Sequence, residues 1–334
     1  MTMTNTNVVT APPRSGMKRA LPALGLFFLS PLVAEFLLGN IPISGLFALF
    51  ALAPLYGGGA VLIREVARRR GWGYPSILIL ALAYGVIEEG ITTQSLFNPN
   101  YAHLRLLDPG HISFLGMGAP WTVMVLGLHT LWSITVPIVV MESLSSRPRE
   151  PWLGKIGFSV YGVLFVLGVV ATTAFGYAKD PFRASPGQNI GAAVAVVVLI
   201  ALAAWVGRRT PRRTTGNVPS PWIVGIAGLV LSSGWMLVND ELKNGWLCAG
   251  VSIVIDVLAI VLFVTWSRRT TWTRMHTLAA AGGAMLTYAW HAFPESPVFG
   301  ASMTVDLIGN TVFALLAVAV LISATIRCDK FSRS

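Results

Sequence analysis

Glu88 and Glu89 stand side by side in an otherwise apolar stretch, followed by Thr92, Thr93 and Gln94. His129 lies in the next apolar stretch with Ser133 four residues on, and Asp306 lies in the last with Asn310 four residues on. Glu35 and Asp256 interrupt two further apolar runs. Carboxylates and imidazole are the groups that exchange protons most readily, so these residue types fit proton coupling or general acid–base work. An ionisable side chain placed in hydrocarbon costs roughly 2.5–3.5 kcal/mol, so each of these residues is expected to face a partner or a wet cavity.

The elements that position them follow from composition. Of 334 residues 54% are apolar and only 11% charged, which excludes an ordinary water-soluble domain. Ten mostly apolar runs are long enough to cross a bilayer as helix: 20–39, 43–63, 75–97, 119–142, 154–176, 190–207, 221–239, 246–266, 275–292 and 303–325. The expected fold is all-α, a polytopic transmembrane helix bundle of about ten spans. The first run is too long for a cleaved signal peptide and reads as a retained signal-anchor. Residues 1–16 read as a disordered cytoplasmic tail, 17–326 as a single membrane domain and 327–334 as a short cytoplasmic tail.

Charge gives the sidedness. Of the 24 Lys and Arg, 20 fall in segments 14–19, 64–70, 147–155, 208–213, 268–274 and 327–333, all on one side if the ten runs alternate. Short cytoplasmic loops retain basic residues, so both termini are expected inside, in a plasma membrane of the bacterial type. The net charge of +10 then reports orientation and attraction to anionic lipid; it does not call for a nucleic-acid partner. Two cysteines, Cys248 and Cys328, fall on opposite sides and supply neither a disulfide nor a Cys-rich metal site.

Counting helical rise from the span boundaries puts Glu88 and Glu89 about 12–14 Å deep, His129 and Asp256 about 15 Å and Asn310 about 10 Å. Asp306, Glu35 and His291 come higher, so the polar groups outline a funnel that opens outward. Neighbouring helical residues point about 100° apart, so the two glutamates are not expected to face one partner squarely; Thr92 and Thr93, each at i+4, can bond one apiece. Pro137 should free the carbonyl of Ser133 and kink the helix below His129. Glu65 with Arg68 and Arg69 reads as a solvated pair on the inner face, and Glu142 as pairing with an arginine there. The triple glycine 57–59 reads as a close-packing surface, the loop 98–118 as wet, with a lid as the alternative, and Trp72, Trp121, Trp152, Trp222, Trp246 and Trp266 as interfacial anchors.

Part of the pattern resembles the membrane endopeptidases of the CAAX-protease and bacteriocin-processing family, whose Glu-Glu-x-x-x-Arg, Phe-x-x-x-His and His-x-x-x-Asn/Asp motifs activate a water within the membrane. Here Glu88-Glu89 is followed by Thr93 in place of the arginine, His129 is preceded by Val125 in place of the phenylalanine, and Asp306…Asn310 is a distant counterpart of the last motif. The likeness covers three residues in three spans, and membership is not assigned on it. Apart from that likeness, an intramembrane hydrolase built from these residues would use Glu88 or Glu89 as general base, His129 as acid or oxyanion partner and Asn310 as a further donor. No His-Glu-x-x-His motif is present, and Glu89, His129 and Asp256 would make a poor closed zinc site, so no metal or other cofactor is expected. Short loops and acids spread over several helices favour a transporter or permease in which Glu35, Glu88, Glu89, His129, Asp256, Asp306 and Asn310 bind a proton or cation and a small solute. An intramembrane hydrolase is the alternative, and a structural membrane protein the third reading.

Overall fold

A computed structural model of the chain describes residues 16–209, 212–298 and 300–333. The tail expected over 1–16 lies outside them save for its last residue, where α1 begins. The helices are α1 (Gly16–Pro31), α2 (Ala48–Leu52), α3 (Tyr56–Arg69), α4 (Tyr74–Val86), α5 (Ala119–Leu128), α6 (Val136–Leu144), α7 (Lys155–Lys179), α8 (Pro186–Gly207), α9 (Pro221–Glu241), α10 (Gly245–Ser267), α11 (Arg274–His291) and α12 (Met303–Arg333). One antiparallel hairpin, β1 (His111–Ile112) with β2 (Met117–Gly118), lies in the loop before α5. The fold is all-helical and polytopic. α12 runs on through 327–333, the stretch read from the sequence as a tail.

Eight segments among the described residues are long and apolar enough to cross a membrane, against ten expected runs. The second run is divided, because Pro54 lacks the amide that would continue α2 into α3. The ninth, α11, carries Thr277, Thr287 and two histidines. Both α3 and α11 are interior elements with long rows of buried residues, and a helix that faces protein has no need of an apolar exterior. α7, α8, α10 and α12 instead present large apolar side chains outward, as lipid contact requires.

Close backbone approach holds the interior together. A Cβ on Gly57 would collide with the carbonyl of Phe27, and one on Gly283 with that of Gly225, so the expected close-packing role of the triple glycine is met and α9 and α11 touch in the same way. Ser232 Oγ and Thr287 Oγ1 lie 2.6 Å apart across the α9–α11 contact, and Trp290 Nε1 donates to Ser233 Oγ at 2.9 Å. Trp132 stacks on Tyr288 with ring centroids 4.5 Å apart.

The two ends of the bundle differ. At the arginine end Arg64 donates to Glu142 at 3.0 Å and to Glu65 at 2.7 Å, Arg68 grips Glu142 at 2.6 Å, and Arg274 and Arg327 reach the carbonyls of Glu142 and Leu144. Glu65 is fully buried, taking the backbone amide of Trp152 at 2.8 Å, which corrects the solvated pair expected from its spacing. The i+3/i+4 geometry is present, but the 147–153 loop folds over it. Trp152 is likewise buried, with the Arg64 guanidinium 3.5 Å above its ring, while Trp222 and Trp246 are exposed as anchors would be. At the opposite, loop end, Val298 N donates to Asn40 O at 3.0 Å, and Asn98 Nδ2 to Asp180 at 2.7 Å.

Candidate functional site

Three π-helical turns among the described residues interrupt the helices: Leu32–Phe36 after α1, Ile87–Thr92 after α4 and His129–Thr135 between α5 and α6. Each carries ionisable residues of the expected set, namely Glu35, then Glu88 and Glu89, then His129. Such turns recur at functional sites because the extra residue re-aims side chains and loosens the backbone ladder. Two are flanked by proline, Pro31 before the first and Pro137 after the third. The carbonyl of Ser133 that Pro137 frees accepts Ser30 Oγ at 2.5 Å, tying the third turn to α1.

The turns bring the side chains together. His129 lies between the two glutamates, with Nε2 at 2.8 Å from Glu89 Oε1 and Nδ1 at 3.1 Å from Glu88 Oε2. Only Glu89 faces the imidazole squarely, as expected for adjacent helical residues: it makes an aligned hydrogen bond to Nε2, whereas Glu88 stands beside Nδ1 without one. All three residues are at most 7% exposed. Ser133 Oγ also lies 3.1 Å from His129 Nδ1.

The two carboxylates are not equivalent. Glu89 Oε2 accepts Thr93 Oγ1 at 2.9 Å and the hydroxyl of Ser95, which in turn receives Trp121 Nε1 at 3.2 Å. Glu88 Oε2 has no aligned hydrogen bond among the described residues, and neither have Tyr84 Oη and Thr92 Oγ1. The bond expected from Thr92 to Glu88 is therefore not made. The π turn carries Thr93, not Thr92, onto the Glu88 carbonyl, with its N donating at 2.7 Å and its Oγ1 at 3.0 Å.

Glu35 joins from the first turn. Its Oε1 accepts Tyr56 Oη at 2.5 Å and its Oε2 accepts Asn40 Nδ2 at 3.2 Å, while the rings of Tyr56 and Tyr84 stand 5.9 and 6.0 Å from that of His129. The loop 98–118 is anchored above the cluster and is not simply wet: Leu107 is buried, and Asp180, held below its ordinary value by the Phe182 amide and then by Asn98, pins its start. Burial, with Glu89, Glu35 and Glu88 nearby, pushes the Tyr101 phenol above its ordinary value. Trp121 belongs to this layer as a donor and not as an anchor.

The other expected site residues lie elsewhere. Asn310 Nδ2 donates to Ala292 O at 2.8 Å and to Asp306 Oδ1 at 3.3 Å, joining α12 to the end of α11. Asp256, part-buried on α10, faces Trp235. Of the eight groups of the expected funnel, only Glu35, Glu88, Glu89 and His129 come together. Sequence reasoning missed Tyr56, Tyr84 and Ser95; tyrosines in mid-span were a signal for the first two, whereas Ser95, six residues past Glu89, reaches it only because Gln94 turns the chain at φ +59°.

Ligand atoms of Glu88, Glu89 and His129 all fall within 4.8 Å of one another, so these three side chains are also the set that would hold a cation at depth. Chemically the arrangement is a buried imidazole with one fully bonded carboxylate and one carboxylate with accepting capacity to spare. No curated protein and no solved structure matches the chain. Residues 24–333 match an uncharacterized membrane protein family, and the chain belongs to that family.

Proposed function

We propose that the protein is an intramembrane hydrolase that uses Glu88 as general base and His129 as proton donor, with Glu89 as a positioning residue. The observation that carries this is the unequal bonding of the two glutamates around one imidazole. Glu89, saturated by Ser95, Thr93 and His129 Nε2, orients the ring. Glu88 keeps a free lone pair beside Nδ1, where a water can be bound and deprotonated while the ring hands a proton to the leaving group. The limited likeness of Glu88-Glu89 and His129 to the CAAX-type endopeptidases points the same way. The substrate class is a peptide or lipid with its scissile bond within the bilayer. In this reading 17–326 form one membrane unit, surrounded by lipid, and the arginine end and both termini are cytoplasmic.

Transport is the second reading, favoured by one observation: Asn40, Glu35 and Tyr56 form a hydrogen-bonded string from the loop end to the ring of His129, a route for a proton moving with a small solute. The argument from many shared acids no longer supports it, since Asp256, Asp306 and Asn310 stand apart. Peptidomic and lipidomic profiles of cells expressing wild type, Glu88→Gln and His129→Gln separate the readings. The hydrolase predicts a product lost in both variants; profiles that match wild type, together with proton-coupled solute flux in proteoliposomes that Glu89→Gln abolishes, would replace it with the transporter.

A further inference from the structure

Apart from the deep cluster, a second group of ligand-type side chains meets at the loop end. Asp240 is the last residue but one of α9, His291 closes α11, and Glu295 follows His291 by four residues. His291 Nε2 lies 2.8 Å from Asp240 Oδ2 and 3.7 Å from Glu295 Oε1, and the three ligand atoms fall within 4.8 Å of one another. We propose that Asp240, His291 and Glu295 form a divalent-cation site that clamps the ends of α9 and α11, with Zn2+ as the preferred ion.

Three observations support it. The imidazole is 3% exposed, yet its Nδ1 has no hydrogen-bond partner among the described residues, so every polar contact of this buried ring lies on the side of the two carboxylates. A hydrogen bond to a part-exposed carboxylate is a weak return for burying a ring with one nitrogen unpaired, whereas metal ligation through Nε2 gives the burial a purpose. Donors about 2.0–2.2 Å from a tetrahedral zinc stand roughly 3.4 Å apart, between the two separations seen here. Finally, the site rests on a helix pair whose backbones are in direct contact, so Asp240 and His291 are pre-set, while the half-exposed Glu295 is free to swing in.

One imidazole and two carboxylates do not close a structural zinc site, but at this part-exposed helix end water completes the shell; among divalent ions the imidazole favours Zn2+, with Mn2+ weaker, over the harder Mg2+ and Ca2+. Lys243 Nζ also approaches this end, but it donates to the backbone carbonyl of Asp240 at 3.0 Å and leaves the carboxylate to the ion. The site is separate from Glu88, Glu89 and His129 and does not depend on the hydrolase reading.

The test is calorimetric titration of Zn2+ into the full-length protein in nanodiscs, with thermal unfolding alongside. Wild type should bind Zn2+ and unfold at higher temperature with it. Glu295→Gln should lower that affinity about tenfold or more and remove the thermal shift, and His291→Gln should abolish both, while Glu89→Gln retains them. Glu295 lies outside the helices and is half-exposed, so its variant folds even if the His291 variant does not. Absence of zinc binding to wild type overturns the proposal. So does equal affinity in Glu295→Gln, or binding lost in Glu89→Gln alone, which would assign the ion to the deeper cluster.

Discussion

Replacing Glu142 by glutamine tests whether the arginine end is a closed, charge-balanced network. Glu142 accepts Arg64 Nε at 3.0 Å, Arg68 Nε and Nη2 at 2.6 Å each, and Tyr74 Oη at 2.8 Å, and it is 2% exposed. Arg64 keeps Glu65 as its counter-ion, but Arg68, with 7% of its side chain exposed, keeps no carboxylate at all. Removing one member of a buried pair strands a charge and costs about 3–5 kcal/mol, more than a hundredfold in the unfolding equilibrium. Equilibrium unfolding in mixed SDS micelles should show that loss for Glu142→Gln. The charge-balanced double variant Glu142→Gln/Arg68→Gln should recover roughly half of it, because the stranded charge is gone while the hydrogen bonds are not restored. A loss below about 1 kcal/mol, the range of an exposed pair, or a double variant no more stable than the single one, would refute the closed network.

Two further outcomes follow from the geometry. A Cβ on Gly228 would stand 2.6 Å from the carbonyl oxygen of Ala280, against 3.4 Å for ordinary contact, so Gly228→Ala must part α9 and α11 by about 0.8 Å. Overpacking of this kind costs about 1–3 kcal/mol, and the same unfolding titration should report it; an unchanged midpoint would mean the helices slide freely past each other. On the hydrolase reading, Ser95→Ala removes one of the hydroxyls that hold Glu89 and should lower turnover about tenfold, beside a loss of stability of about 1.5–3 kcal/mol, the worth of a bond to a charged group. Cleavage at the wild-type rate in Ser95→Ala would show that Glu89 needs no such support.

The class of fold and all four ionisable residues of the cluster were legible in the sequence on plain physical grounds, because hydrocarbon tolerates few ionisable groups and those few stand out. What it misjudged has a common cause, the neighbour. Glu65 has the spacing of a surface pair, and only the loop at 147–153, packed over it, makes it a buried hub. Asp256 and Asn310 share a nominal depth with Glu88 and Asp306 lies just above them, yet depth along an axis says nothing about which way a helix faces, and Asp306 and Asn310 serve the α11–α12 contact. α3 and α11 fall short of the apolar content of a lipid-facing span for the reverse reason, since their surroundings are other helices.

The π turns are where local pattern and tertiary demand part company. In a regular helix Glu88 and Thr92 would bond one above the other and Glu89 would look away, satisfying each carboxylate by itself. The extra residue between Ile87 and Thr92 breaks the first of those bonds and leaves Glu88 Oε2, Thr92 Oγ1 and the nearby Tyr84 Oη without hydrogen-bond partners among the described residues, so that only a bound water or ligand could satisfy them. A helix gains nothing in stability from that exchange. What it gains is placement, two carboxylates on opposite nitrogens of one imidazole. The same kind of turn recurs on the segments that bear Glu35 and His129, where the side chains do find partners. Three buried polar groups left without a hydrogen-bond partner among the described residues, all on α4 and the π turn that continues it, are the mark of a site kept for its chemistry over its contribution to folding.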